Sequence, residues 1–157
     1  MTATVSVDEF RALSERLDRL EAERDIRDLM VKYAQTLDYG DNVGWATCFT
    51  PDGHFDVRMR GEAMFEHSGT EALATFASGH THAPEVYHKH FLSVPVITFD
   101  GPDRASAQTY FTMLHERPTG PIVLVIGRYL DDLVRGDTGW VFANRVVDME
   151  ALPPRAE

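Results

Sequence analysis

The 157 residues fit one domain large enough to bury a core without disulfides, and a composition 43% hydrophobic and 25% charged excludes disordered and fibrous classes. A formal net charge of -10 argues against nucleic acid as a partner, because affinity for a phosphate backbone comes from Lys and Arg; a small molecule or another protein fits better. Cys48 is the only cysteine, no basic and apolar leader opens the chain, and the longest apolar run, IVLVIG at 122–127, is far too short to span a bilayer, so a cytoplasmic protein with no membrane contact is expected.

Ser6-Val-Asp-Glu9 has the form of a capping box, and it opens a helix with Phe10, Leu13, Leu17 and Leu20 at three-and-four spacing. That narrow stripe on a charged segment predicts packing against another subunit or against its own domain. A second helical pattern runs through Ile26, Leu29, Met30, Tyr33 and Leu37 and ends on Asp38, and a short third one covers Trp45, Cys48 and Phe49 until TPDG breaks it. From Gly53 the period changes to two: HFDVRM and EAMFEH form the arms of a hairpin turning near Arg60-Gly61, and helix returns over Thr70 to Ser78. After Pro84 come four strands, YHKHFLSVPVITF, RASAQTYFTMLHE, IVLVIGRYLDDLV and WVFANRVVDME, joined by the turn formers DGPD, PTGP and RGDTG. The order predicts an α+β domain over 1–157, with helices on one face of a curled antiparallel sheet and a loose tail from about 152. Apolar rows on the outer sheet face, Tyr110, Thr112 and Leu114 or Val123 and Val125, suit a homo-oligomer, dimer or trimer.

Few polar groups have reason to face inward. Asp38 follows an apolar stripe, so it is either a partly desolvated base with a raised pKa or a solvated helix-end carboxylate. Alternation puts His88, His90, Leu92, Val94 and Val96 on one face, with His90 the deeper histidine and His88 nearer the strand end; either can also be a buried histidine satisfied by a carbonyl. His80-Thr-His82 and His88-Lys-His90 together invite a metal reading, but no Cys or carboxylate follows at helical or hairpin spacing, and no metal is expected. Tyr33 belongs to the apolar stripe, and it lies about 140° from Asp38 around an ideal helix, so the two share a site only if the helix ends or bends between them. Arg145 alternates with Val141, Ala143 and Val147 and is either an edge residue or the partner of a buried carboxylate. Trp45, Phe49, Phe55, Phe65, Phe76 and Phe91 suggest an apolar substrate, up to polycyclic in size.

The stretch IRDLMVKYAQTLDYGDNVGWATCFTPDGHFDV resembles the opening of SnoaL-like proteins of the nuclear-transport-factor-like superfamily, and the His-led strand, two central strands and final Gly-Trp strand continue the resemblance over nearly the whole chain. It implies a cone-shaped α+β barrel, a curved antiparallel sheet wrapped around N-terminal helices with an apolar cavity. Relatives of this type include scytalone and bile acid dehydratases, a dehydrochlorinase, polyketide cyclases, ketosteroid isomerase and the non-catalytic small subunit of ring-hydroxylating dioxygenases, so fold alone names no reaction. The resemblance sets the catalytic aspartate of the eliminating members at Asp38, their histidine at His90, a tyrosine at Tyr33 and an arginine at Arg145; Ser93 stands where many relatives carry Asn. The expectation is a dehydratase-type lyase without metal or organic cofactor. In it Asp38 orients His90 as general base, Tyr33 and Arg145 assist, and Trp45, Phe49, Phe55 and His88 contact an apolar small molecule. An isomerase or cyclase on the same cavity, or a non-catalytic binding or oxygenase-subunit module, is the alternative.

Overall fold

The computed structural model describes residues 6–153, so most of the expected loose tail, 154–157, lies outside the described residues. The capping box forms as expected: the Glu9 backbone N–H donates to Ser6 Oγ at 3.2 Å and the Ser6 N–H donates to Glu9 Oε2 at 2.8 Å. The two helical patterns are one unbroken helix, α1 (Val7–Asp38), because the intervening EAERD contains no residue that stops a helix. Burial starts only at Ala22 and then continues through Ile26, Leu29, Met30, Tyr33 and Leu37. Among the described residues the amino-terminal stripe stays exposed, from Phe10 at 70% to Leu20 at 62%, with Arg19 beside it over the Phe99 ring. Among the described residues, then, nothing buries the stripe as packing on its own domain would.

Asp41 caps the short helix α2 (Asn42–Ala46) by accepting from the Gly44 N–H. Cys48 and Phe49 lie outside that helix; Phe49 opens β1 (Phe49–Met59), and TPDG becomes an irregular stretch within the strand. The hairpin to β2 (Glu62–Ser68) turns on Arg60 and Gly61, both at positive φ, 51° and 84°, the geometry that matches the twist of paired strands. Helix α3 (Thr70–Ser78) follows as expected. The first long strand is in fact two, β3 (His88–Leu92) and β4 (Val96–Phe99), interrupted at Ser93-Val94-Pro95, where proline offers no N–H to a ladder. Val94 and Val96, at 75% and 72% exposure, therefore do not extend the inward row begun by His88 and His90.

Strands β5 (Arg104–His115), β6 (Ile122–Gly136) and β7 (Gly139–Ala151) form the expected meander. The 7-stranded sheet runs β2-β1-β7-β6-β5-β3, with β4 also on β5; it is curved and open, and β1 lies parallel to β7, so it is mixed where an antiparallel sheet was expected. Opposite Met113 and Leu114, Leu124 is an extra residue in β6, and past it the strand's facing pattern shifts. Val125 is consequently buried while Val123 stays outside, so the two do not form one outer row. Gly127 cannot carry a side chain: a Cβ there would stand 2.3 Å from the Asp148 carbonyl oxygen and 2.8 Å from the Phe111 ring. That close approach accompanies the parallel stack of Phe111 on Tyr129, 4.4 Å between centroids. Among the described residues no helix is long and apolar enough to cross a membrane.

Candidate active site

Asp38 ends α1 with its side chain turned inward, 3% exposed. Gly40, at φ +74°, reverses the chain behind it, with the His82 ring occupying the place where a Cβ would stand. The Asp38 carbonyl accepts from the Ala83 N–H at 2.9 Å, tying the loop after α3 to the helix end. From the sheet side, the His90 backbone N–H donates to Asp38 Oδ2 at 3.1 Å, and His90 Nδ1 lies 2.7 Å from Oδ1. An ionised carboxylate only accepts, so the network assigns the proton to Nδ1 and leaves Nε2 with the lone pair.

His88 reaches the same carboxylate. Its Nε2 is 3.1 Å from Oδ1, without hydrogen-bond geometry. Burial by itself would raise the Asp38 pKa; the two imidazoles and the His90 N–H outweigh it and hold the carboxyl well below the usual range. A folded-state pKa below the unfolded one means that this contribution to stability is present above the ordinary value of 3.8 and lost as pH falls beneath it. His80 acts earlier in the same direction: burial lowers it from 6.5 to about 4, so between those values the unfolded chain binds the extra proton and stability falls on acidification. Denaturant unfolding at stepped pH should show both losses; the upper one should flatten in His80→Phe and the lower one in Asp38→Asn.

A cavity of about 240 Å³ opens beside the dyad, with Tyr33, Phe55, Phe76, His80, His90 and Tyr129 in its otherwise apolar wall. Helix α1 runs unbroken from Tyr33 to Asp38, so the condition that it end or bend between them is not met, and it is not needed. His90 bridges them, since it lines the cavity with Tyr33 while its Nδ1 is turned back to Asp38. Burial pushes the Tyr33 phenol up to about 12 and Tyr129 well above 10, so both stay neutral hydrogen-bond donors near pH 7.

Three expected contacts lie behind this wall. Trp45 and Phe49, 0% and 5% exposed, do not line the cavity; they pack against Tyr33 and Phe55 as the aromatic core that supports it. His88 is likewise spent on Asp38 and does not line the cavity. Arg145 is also walled off: its guanidinium sits 4.1 Å from the Tyr33 ring centroid, 4.2 Å from Tyr129 and 3.8 Å from Phe142, and it donates to both Asp131 oxygens at 2.7 and 2.8 Å. Burial pushes the Asp131 carboxyl up and Arg145 opposes it; a guanidinium does not deprotonate in proteins, so the pair is ionic. Burial also raises Cys48 to about 11, which removes it as a nucleophile.

Asp38 Oδ1, His88 Nε2 and His90 Nδ1 lie within 4.8 Å of one another, a donor set that suits a transition-metal ion such as zinc. The proton that joins Asp38 to His90 would have to leave first.

Residues 18–146 match the SnoaL-like domain. The chain belongs to the SnoaL-like family. No curated protein sequence matches it closely. Among solved structures, the SnoaL-like protein superposes on an NTF2-like protein with a cystatin-like fold from Novosphingobium aromaticivorans at TM-score 0.79 and 22% identity, covering 94% of this chain and 92% of that one. A provisionally assigned scytalone dehydratase from the same organism gives 0.72 at 22% identity over 89% and 91% of the two chains. The beta subunit of a provisionally assigned aromatic-ring-hydroxylating dioxygenase, again from that organism, gives 0.75 at 20% identity over 86% and 93%. At these identities the likeness establishes the fold and leaves the reaction to the site.

Three residues of the SnoaL-like site escape the sequence reading: His80, Tyr129 and Asp131. Tyr129, Asp131 and Leu133 alternate on β6, and a carboxylate in so apolar a row is a signal for a buried cation, the partner Arg145 was looking for. His80 belongs to no periodic element, and its histidine-rich context pointed only to metal.

Proposed function

We propose that this SnoaL-like protein is a cofactor-independent lyase that eliminates water from a small apolar β-hydroxycarbonyl compound. The observation that carries this reading is the 2.7 Å contact of His90 Nδ1 with Asp38 in the wall of a largely apolar cavity. Held this way, neutral His90 can take a proton through Nε2 from the carbon beside the carbonyl, and the Asp38 charge stabilises the imidazolium that results. Tyr33 and Tyr129 donate to the developing enolate oxygen, and burial keeps their protons on them. The C–H electrons form the new double bond as the C–O bond breaks, and the imidazolium returns its proton to the departing hydroxide, giving water. Arg145 supports this from behind, as a positioning residue for the two phenols. The volume of about 240 Å³ is below the roughly 300–1,000 Å³ of drug-sized pockets, which favours one or two fused rings over a steroid-sized substrate.

An isomerase on the same cavity would use the same base and differ only in expelling nothing. The test is therefore staged. The protein is incubated in D2O with 1-tetralone and 1-indanone, and deuterium uptake at the carbon beside the carbonyl is followed by NMR. It is then given 3-hydroxy-1-tetralone, and loss of water is measured. Uptake at least about 100-fold above buffer, the lower end of what a positioned base supplies, with water loss, is the expected result. Uptake without water loss selects the isomerase; no uptake from either ketone sinks the base.

A further inference from the structure

We infer that His80 is a second substrate-contacting residue, whose Nε2 accepts a hydrogen bond from a hydroxyl on the substrate's outer end. The inference rests on the reading of His90 as base, and it adds what the far side of the substrate carries. His80 follows the Gly79 cap of α3, in a loop fixed at both sides: the His80 N–H donates to the Ala77 carbonyl at 3.1 Å, and Ala83 is bound to the end of α1. Its Nδ1 lies 2.9 Å from the Thr81 carbonyl oxygen. A carbonyl only accepts, so the neutral ring carries its proton on Nδ1 and presents a lone pair at Nε2. That nitrogen has no hydrogen-bond partner among the described residues.

Two features give the acceptor a place. The His80 ring lies 6.2 Å from His90 and 6.0 Å from Phe76, centroid to centroid, and both histidines line the cavity as neighbours. His80 and Phe76 also line an open groove along α3, which puts His80 at the boundary between cavity and surface. A molecule with its acidic carbon at His90 would bring a substituent on its outer side against His80 Nε2. An apolar substituent would offer that lone pair no partner, whereas a hydroxyl there would donate to it. The substrate class is thus a hydroxylated cyclic ketone, with the extra hydroxyl distal to the reacting carbon.

The test uses binding, which needs no turnover. Tryptophan and ligand fluorescence report the affinities of 2-naphthol and naphthalene for wild type, His80→Leu, His80→Gln and His90→Leu. Wild type should prefer 2-naphthol by about tenfold, the value of one net hydrogen bond. His80→Leu should bind the two alike with naphthalene affinity kept, His80→Gln should restore the preference through its amide oxygen, and His90→Leu should retain it. On wild type labelled with 15N-histidine, the His80 Nε2 resonance should move with 2-naphthol and stay with naphthalene, a readout independent of any variant's folding. No preference in wild type, preference surviving in His80→Leu, loss in His90→Leu, or an unmoved His80 resonance would each overturn the inference. If deuterium uptake from 1-tetralone is intact while these fail, only the role of His80 falls; if uptake is absent while these succeed, it is the base that falls.

Discussion

His90→Ala should lower deuterium uptake from 1-tetralone by about 10³-fold or to the buffer rate, within the range a positioned general base supplies. Asp38→Asn should cost almost as much, and the geometry says why the amide is a poor substitute. Asp38 accepts at both oxygens, from the His90 backbone N–H at Oδ2 and from Nδ1 at Oδ1. An asparagine has one acceptor and one donor there. Whichever way it is turned, it either confronts the backbone N–H with its own NH2 group or forces the imidazole into the tautomer whose Nε2 is protonated. It also removes the charge that stabilises the imidazolium. Circular dichroism should show both variants folded, and near-wild-type uptake in both would return Asp38 to a purely structural role.

The second large effect is on stability. Asp131→Ala should destabilise the fold by about 3–5 kcal/mol, because it leaves the guanidinium of Arg145 buried with no counter-charge. For a domain of this size that corresponds to a fall in melting temperature of roughly 6–20 °C. The double replacement Asp131→Leu with Arg145→Met should recover much of the loss, since removing both charges also removes the cost of burying them. Thermal unfolding of the single and double variants decides it: a loss under about 1 kcal/mol for Asp131→Ala would mean that water reaches the pair.

The sheet was legible in the chain where one short rule decided each element. Turn formers punctuate β5, β6 and β7, Arg60-Gly61 closes the hairpin, and Thr70 to Ser78 carries its own helical period. Asp38 and His90 were legible because strand alternation and the resemblance pointed to the same pair. The rest depended on contacts distant in sequence. Nothing in β1 or β7 states that they run parallel, and an aromatic side chain announces burial without saying on which side of a wall. Trp45 and Phe49 thus became core support, while Phe55, six residues beyond Phe49, reached the cavity. Pro95 did carry a warning, since proline inside an apparent strand argues for a break, and the alternating valines on both sides concealed it.

The double grip on Asp38 also bears on how the molecule finds its alignment. Strand β3 is five residues long, lies at the edge of the sheet and has only β5 beside it, the circumstances in which a strand slides most easily. A slide of one residue would send His88 and His90 outward and turn Lys89 inward. The end of α1 works as an index pin: its carboxylate takes up the backbone of His90 together with the ring, and His88 closes on the same oxygen, so only one alignment leaves that buried charge accompanied. Chemistry and assembly draw on the same few atoms, and a chain that folds with β3 misaligned forfeits both together.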